Sequence, residues 1–197
     1  MSADSPPTAG GTSVFELRLL GPVRVSRAGR EVALGGPRQR VVLALLLLEA
    51  GRVVPAGWLV EEVWRGCPPP TAAKTLRSYV SRLRSLLSPE IDLVGRGGGY
   101  VITVDPDHVD AGRFERLTAA GQAALRHGRA EAAAVHFGDA LALWSGRALA
   151  DVCDVEPLAL EAIRLEELRL AAVEGKIEAN IALGACRGGR GTGALGS

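Results

Sequence analysis

Residues 70–87 limit the possible folds of this chain most, because they combine a helical apolar stripe with a cationic face. Leu76, Val80, Leu83 and Leu87 recur at the spacing of one helix face. The other positions carry basic and hydroxyl side chains with no acidic residue among them: Lys74, Arg77, Ser78, Ser81, Arg82, Arg84 and Ser85. Such a helix suits a phosphate backbone, but the pattern is also typical of an ordinary amphipathic surface helix. The neighbouring segments decide between these readings.

Strand patterns lie on both sides of this helix. Before it, apolar residues alternate over residues 15–34 with turns at residues 21–22 and 28–29, which predicts a small antiparallel meander. Two more helices are predicted at residues 37–50 and 58–64, with a short strand at 52–54 between them. After the cationic helix, which Thr71 is placed to cap, residues 91–94 and 100–104 flank a glycine-rich turn and predict a hairpin.

The order of strands, three helices and hairpin is that of a winged helix. In that arrangement one helix enters the major groove of DNA, and the hairpin reaches the neighbouring minor groove or phosphates. Arg and Lys bind phosphates or guanine, Ser and Thr bind phosphates or bases, and glycine lets the hairpin backbone approach closely. Arg96, at the predicted turn, is the candidate for the minor groove.

The second half of the chain has only helical patterns. A linker is expected at residues 105–107, followed by helices at about 111–126, 130–144 and 157–183. Antiparallel helix pairs of about 34 residues, rich in Ala and with an aromatic residue in the second helix, are typical of tetratricopeptide (TPR) units; a plain helical bundle is the alternative. The sequence therefore predicts an α+β winged-helix domain at residues 14–104 and an all-α, TPR-like domain at 105–183.

Charge is divided between these halves. The net charge is +1, yet residues 27–96 hold eleven basic against six acidic residues, and residues 105–180 hold eight basic against fourteen acidic ones. A basic half joined to an acidic half indicates two domains with different partners.

Several other classes of protein are disfavoured. The longest apolar run, residues 41–48, is too short to span a membrane, and the N-terminus lacks a signal-peptide pattern, so we expect a cytoplasmic protein. Lys74 lacks the glycines of a phosphate-binding loop, and the three histidines and three cysteines have no partners at catalytic or metal-ligand spacing. We expect no enzymatic activity and no cofactor. Residues 1–13 and 184–197, the latter rich in Gly and Arg, are expected to be disordered.

Several motifs resemble the SARP family of AfsR-, DnrI- and RedD-like regulators. They are FELRLLGPVRV, GPRQRVVLALLLLEAGRVVPAGWLVEEVW, AAKTLRSYVSRLRSLL, RGGGY, DAGRFERL and ALALWSGRALAD, in the order found in the family. The resemblance implies an OmpR-type winged helix-turn-helix domain, with a four-stranded N-terminal sheet, joined to a bacterial transcriptional activation domain. It also implies double-stranded DNA and RNA polymerase as partners, direct repeats near promoters as sites, binding often as a homodimer, and no membrane.

The same resemblance assigns DNA contacts to individual residues. Arg82 is the main candidate for a base contact, and Trp58, Trp64 and Tyr100 are expected to pack in the core. Arg38 and Arg40 fit phosphate contacts and solvated charges equally well. The complete set of expected DNA contacts is Lys74, Thr75, Arg77, Ser78, Ser81, Arg82, Arg84, Arg96 and Gly97.

One departure from the family concerns the sequence after Leu183, where GACRGGRGTGALGS replaces the expected helical pattern. The activation domain looks truncated, with a change of reading frame as one hypothesis, and the apolar face of the third helix is expected to be partly exposed. A helical adaptor whose winged helix does not bind DNA remains the alternative function.

Overall fold

A computed structural model describes residues 15–188, and their side chains as far as residue 184. Its first half contains β1 (Phe15–Arg18), β2 (Arg24–Arg27), β3 (Arg30–Val32), α1 (Pro37–Leu48), β4 (Val54–Pro55), α2 (Ala56–Trp64), α3 (Ala72–Leu87), β5 (Asp92–Arg96) and β6 (Gly99–Thr103). Its second half contains a 3-10 turn (Pro106–His108), α4 (Asp110–Arg126), α5 (Ala130–Ala142) and α6 (Glu156–Gly188). The predicted α+β winged helix followed by a helical domain is confirmed.

Besides its three helices, the first half contains two small antiparallel sheets. One has the order β1-β2-β3 and the other the order β4-β6-β5. The stripe predicted on α3 is buried, since Leu76, Val80, Leu83 and Leu87 are all 2% exposed or less. Burial of this stripe against α1 and α2 fixes which side of α3 faces solvent.

The helical half is built from α4, α5 and α6. Phe137 of α5 fits between α4 and α6 because Gly121 and Gly175 leave room for its ring; a Cβ at either glycine would lie under 3 Å from it. Small residues at a helix contact let the helix axes approach closely, and here they accommodate one aromatic side chain. No helix within residues 15–188 is both long enough and apolar enough to cross a membrane.

The two halves meet along residues 19–23, which follow β1. The Leu19 and Leu20 amides donate to the Asp110 carboxylate at 2.7 and 3.1 Å. The carbonyls of residues 19–21 accept hydrogen bonds from the amides of residues 149, 145 and 150. Asp110 is 1% exposed, and desolvation raises its pKa from 3.8 to about 6 despite these backbone hydrogen bonds. Residues 19–21 of the first half thus find hydrogen-bond partners for their backbone in the second half.

Asp151 provides a second connection between the halves. Its Oδ1 accepts from the Val23 amide and its Oδ2 from the Arg40 guanidinium of α1, both at 2.8 Å. Glu16 of β1 also pairs with Arg113 of α4. Burial alone would raise the pKa of Glu16, but Arg18 and Arg113 outweigh that effect and lower it.

Four expectations about local structure were wrong in detail. The N-terminal sheet has three strands, not four, because residues 19–23 bond to the helical half and to no further strand. Thr71 precedes α3 but makes no side-chain capping bond. The wing turn is only Gly97-Gly98, since residues 95, 96 and 99 belong to the paired strands.

The fourth difference is at the end of α6, which continues to Gly188, beyond the expected end at Leu183. A single Gly184 costs about 1 kcal/mol relative to Ala, and each added residue of a formed helix gains a hydrogen bond, so the helix continues past it. Residues 1–14 and 189–197, which include the expected leader and most of the expected tail, lie outside the described residues.

Candidate nucleic-acid interface

The outward face of α3 gathers the side chains expected to contact DNA. Lys74, Ser78, Ser81 and Ser85 lie opposite the buried stripe, with Arg77 on one side and Arg82 on the other; all are exposed. From Lys74 to Ser85 the face is about 16 Å long at the helical rise of 1.5 Å per residue. With its side chains an α-helix is about 10 to 12 Å across, so α3 fits the major groove of B-DNA, which is about 12 Å wide.

The cations of this surface have no ion-pair partner among the described side chains. Among the side chains of residues 15–184, Lys74, Arg77, Arg82 and Arg96 have no carboxylate within ion-pair distance. Most arginines of the helical half and of β1–β2 are paired by contrast, as Arg113 and Arg164 are. The free charge of the first half is therefore concentrated on α3 and on the β5–β6 hairpin.

Hydroxyl groups on α3 are partly engaged by the helix itself. The Thr75 hydroxyl donates to the Thr71 carbonyl at 3.0 Å, and the Ser85 hydroxyl to the Ser81 carbonyl at 3.2 Å. Each oxygen can still accept a hydrogen bond. Thr75 is half-buried at the edge of the face, whereas Ser78 and Ser81 are exposed at its centre. The two serines are better placed than Thr75 for a ligand in front of α3.

The wing is a tight hairpin with Arg96 beside its turn. Arg96 pairs with Gly99 across the two-residue turn of Gly97 and Gly98, whose φ angles are +58° and +78°. Such angles favour glycine and match the twist of a hairpin. Arg96 and Gly97 are exposed, so the structure leaves both accessible to a ligand.

Gly99 joins the wing to the rest of the first half. It lies opposite Pro55 in the β4–β6 ladder, and a Cβ at Gly99 would lie 2.1 Å from the Val54 carbonyl oxygen. The Gly98 carbonyl also accepts from the Ala56 amide at 3.2 Å, at the start of α2. The base of the wing is held by backbone contacts that have no room for a side chain.

Arg84 differs from the other expected DNA contacts. Its Nε donates to the Leu93 carbonyl of β5 at 2.7 Å, so it connects α3 to the wing strand. Its remaining guanidinium N–H groups lie at an exposed position. Arg84 therefore fixes the position of the wing relative to α3, a function that its place in an Arg-Leu-Arg sequence did not indicate.

Arg27, which was not among the expected site residues, anchors the end of α3. Its Nη2 lies within 3.0 Å of the Leu86 carbonyl, the Ser88 carbonyl and the Glu90 carboxylate, and its guanidinium lies over the Phe15 ring. Arginine near a helix C-terminus satisfies carbonyls that have no partner within the helix. The sequence showed only a basic residue that alternates with apolar residues on a strand. This pattern does not indicate which groups the arginine binds.

Arg38 and Arg40 are both engaged within the protein. Arg40 pairs with Asp151 across the domain contact, and the Arg38 guanidinium lies 5.6 Å from the centre of the Trp64 ring. Trp64 is buried and stacks on Tyr79 of α3, while Trp58 and Tyr100 are half-buried against the core. The expected packing of these aromatic residues is confirmed.

Comparison with known proteins relates both halves to regulators. The family "Transcriptional regulatory protein, C terminal" matches residues 29–102, and "Bacterial transcriptional activator domain" matches residues 109–189. Each family covers one of the two halves, and residues 19–23, which contact the second half, precede the first match.

Individual relatives match both halves together. The chain is 34% identical over 180 residues to Regulatory protein DnrI of Streptomyces peucetius, covering 86% of this chain and 66% of that protein. It is 38% identical over 165 residues to Regulatory protein AfsR of Streptomyces coelicolor, covering 83% of this chain and 16% of AfsR. A structure of Mycobacterium tuberculosis EmbR with a low-affinity phosphopeptide aligns at a TM-score of 0.82 and 36% identity, covering 87% of this chain and 46% of that one. The chain thus spans two thirds or less of these relatives.

Proposed function

We propose that this chain, which belongs to the SARP family of transcription regulators, binds double-stranded DNA sequence-specifically through α3 and the β5–β6 wing. The observation that carries the proposal is the row of cations on the outward face of α3, continued by Arg96 on the wing, which form no ion pair with any side chain of residues 15–184. A helix with such a face reads base edges in the major groove while flanking cations neutralise phosphates. The proposed site consists of Lys74, Thr75, Arg77, Ser78, Ser81, Arg82, Arg84, Arg96 and Gly97.

The proposal gives the two halves different tasks. DNA contact belongs to residues 14–104, and contact with RNA polymerase, leading to activation, to residues 105–183. By similarity to DnrI and AfsR, the regulated genes would belong to an antibiotic or other secondary-metabolite pathway, with direct repeats near the promoter bound by two copies of the chain. The protein would act in the cytoplasm, where the bacterial chromosome lies, and not as an enzyme.

A binding experiment tests the DNA-binding part. Duplexes selected by the wild-type chain from a randomised library would be titrated by fluorescence anisotropy at several salt concentrations. Affinity should fall with a log–log slope of about −0.9 for each phosphate neutralised, so that five contacts give about −4.5. The alternative function, an adaptor that does not bind DNA, predicts no enriched sequence and no such dependence.

The Arg82→Ala variant tests the base contact. Loss of a specific base contact should cost about 1 to 3 kcal/mol and relax the preference at one position of the site. Arg129→Ala is the matched control, because Arg129 is an exposed arginine of the helical half without an ion pair in the described region. If Arg82→Ala kept the affinity and the base preference of the wild type, Arg82 would not read the sequence.

Activation needs a separate measurement. A reporter gene behind the selected site, in a host lacking the chromosomal copy of the regulator, should be induced by the wild-type chain and not by Arg82→Ala. A chain that binds the site but leaves transcription unchanged would contradict the activating part of the proposal while leaving DNA binding intact.

A further inference from the structure

A cleft with a volume of about 540 Å³ lies where the two halves of the chain meet. It is lined by the start of α1, the end of α2, one residue of α3 and the loop that precedes α6. Binding sites for small molecules have volumes of about 300 to 1,000 Å³ and occur preferentially at domain interfaces. The cleft therefore has the size and the position of a small-molecule site.

Part of the lining is apolar and already held in place. The apolar lining residues are Pro37, Val41, Val63, Trp64 and Val155. The Trp64 ring stacks on the ring of Tyr79, which also lines the cleft, with 6.4 Å between the ring centres and 14° between the planes. Because the two rings hold each other, a ligand would bind this surface without first having to order it.

The two carboxylates of the lining already have cationic partners. Asp151 accepts from the Val23 amide and from the Arg40 guanidinium, both at 2.8 Å. Asp154 pairs with Arg65, the residue that ends α2 in a left-handed conformation. Neither carboxylate therefore needs a cation from a ligand.

Arg38 is the charged residue of the lining that has no ion pair among the side chains of residues 15–184. It is exposed, and its guanidinium lies 5.6 Å from the centre of the Trp64 ring. A guanidinium over an aromatic face is oriented by the ring, and its fork of N–H groups matches the geometry of a carboxylate. The cleft thus combines one available cation with an adjoining apolar surface.

From this arrangement we propose that the cleft binds a small organic monocarboxylate with a compact aromatic or branched apolar body. Arg38 would donate to the carboxylate of the ligand, and the apolar lining would contact its body. Asp151 and Asp154 would disfavour ligands with additional negative charge, since like charges repel. The inference does not depend on DNA binding, because no residue of the cleft is among the proposed DNA contacts.

The test uses the full chain and three probes with the same ring system. They are 2-naphthoate, the neutral 2-naphthamide and the cationic 2-naphthylmethylamine. A ¹H–¹⁵N NMR titration would follow the indole N–H signals of the three tryptophans. Naphthoate should shift the Trp64 signal and leave that of Trp144, in the helical half, unchanged. It should also bind at least tenfold more tightly than either other probe.

Two variants and a matched control locate the site. Arg38→Gln should weaken naphthoate at least tenfold, whereas Arg30→Gln, at an exposed arginine of β3 outside the cleft, should leave its affinity unchanged. Gly36 lines the cleft with a φ of −76°, and a Cβ there would meet no atom within 4 Å. Gly36→Leu would therefore occupy space in the cleft without a clash, and it should also weaken naphthoate at least tenfold. All three positions are exposed, so circular dichroism should report the same helix content in each variant.

Three results would overturn the proposal. They are an unchanged Trp64 signal at millimolar naphthoate, equal binding of naphthoate and naphthamide, and wild-type affinity for naphthoate in Arg38→Gln. The DNA affinity of Arg38→Gln is the independent readout, because it should equal that of the wild type whether or not naphthoate binds. A failure of the ligand site is thereby distinguished from a failure of DNA binding.

Discussion

Replacing Gly99 with alanine should detach the wing from the body of the first half. The new Cβ would lie 2.1 Å from the Val54 oxygen, 2.7 Å from the Val54 carbon and 3.0 Å from the Pro55 Cα. All three atoms belong to the backbone, so no side-chain rotation relieves the contact. The two strands β4 and β6 must instead separate by about 1 Å or more, since carbon atoms pack at about 3.5 to 4.0 Å.

The cost follows from the contacts that separation removes. Overpacking of a tight site costs about 1 to 3 kcal/mol. The two-residue β4–β6 pairing and the hydrogen bond from the Ala56 amide to the Gly98 carbonyl would weaken at the same time, at about 1 kcal/mol for each bond lost. We therefore expect Gly99→Ala to lower the free energy of unfolding by about 2 to 4 kcal/mol.

Urea unfolding followed by circular dichroism measures this change. Gly95→Ala is the control, because Gly95 lies in the same hairpin and a Cβ there would meet its nearest neighbour, the Gly99 oxygen, at 4.0 Å. That variant should stay within about 0.5 kcal/mol of the wild type. Equal stabilities for the two variants would refute the argument that backbone contact at Gly99 holds the wing.

Two further predictions concern Asp110 and Arg84. The folded-state pKa of Asp110, about 6, lies above its usual 3.8, so its contribution to stability is present below about pH 4 and is lost as the pH rises through 6. Between pH 4 and 7, the free energy of unfolding of Asp110→Asn should therefore rise relative to that of the wild type by up to about 3 kcal/mol, as measured by urea unfolding. If the free energies of the two proteins changed in parallel with pH, the raised pKa would be wrong. Arg84→Ala should lower stability by about 1 kcal/mol through loss of the bond to the Leu93 carbonyl and should weaken binding to all DNA sequences alike. A relaxed preference at one base pair, seen in competition binding, would instead make Arg84 a base contact.

The helices and strands were predictable because apolar residues recur along each of them with the period of that structure. The stripe from Leu76 to Leu87 placed α3 and its buried side correctly, and alternation around Val25 and Val101 placed the strands. On α6 the sequence predicted a broad apolar face that would be partly exposed. In the structure Ile163, Leu170 and Ile177 are exposed, and Ala172 and Ala179 are among the buried residues. Phe137 fills the space between α4 and α6, so α6 presents Gly175 to its ring.

The residues that position the proposed DNA-binding surface do not belong to any periodic pattern in the sequence. Asp110 bonds to amides about 90 positions earlier in the chain, and Arg27 reaches carbonyls about 60 positions later. Arg84 resembled its neighbours in charge and spacing but donates to the wing. A single sequence reports which side chains share a helix face, whereas such pairings depend on how distant segments come together.

Because Asp151 binds both the Val23 amide and Arg40, and Asp110 binds the preceding amides, the angle between α3 and α6 is set by the fold. With α3 in the major groove as proposed, the direction in which α6 projects depends on the position of the site along the DNA. This direction rotates around the duplex by one turn every 10 to 10.5 base pairs. Two copies on sites separated by whole turns would present their α6 helices on the same side of the duplex. Five additional base pairs would turn one of them to the opposite side, and the hydrogen bonds between the halves oppose a rotation that would compensate.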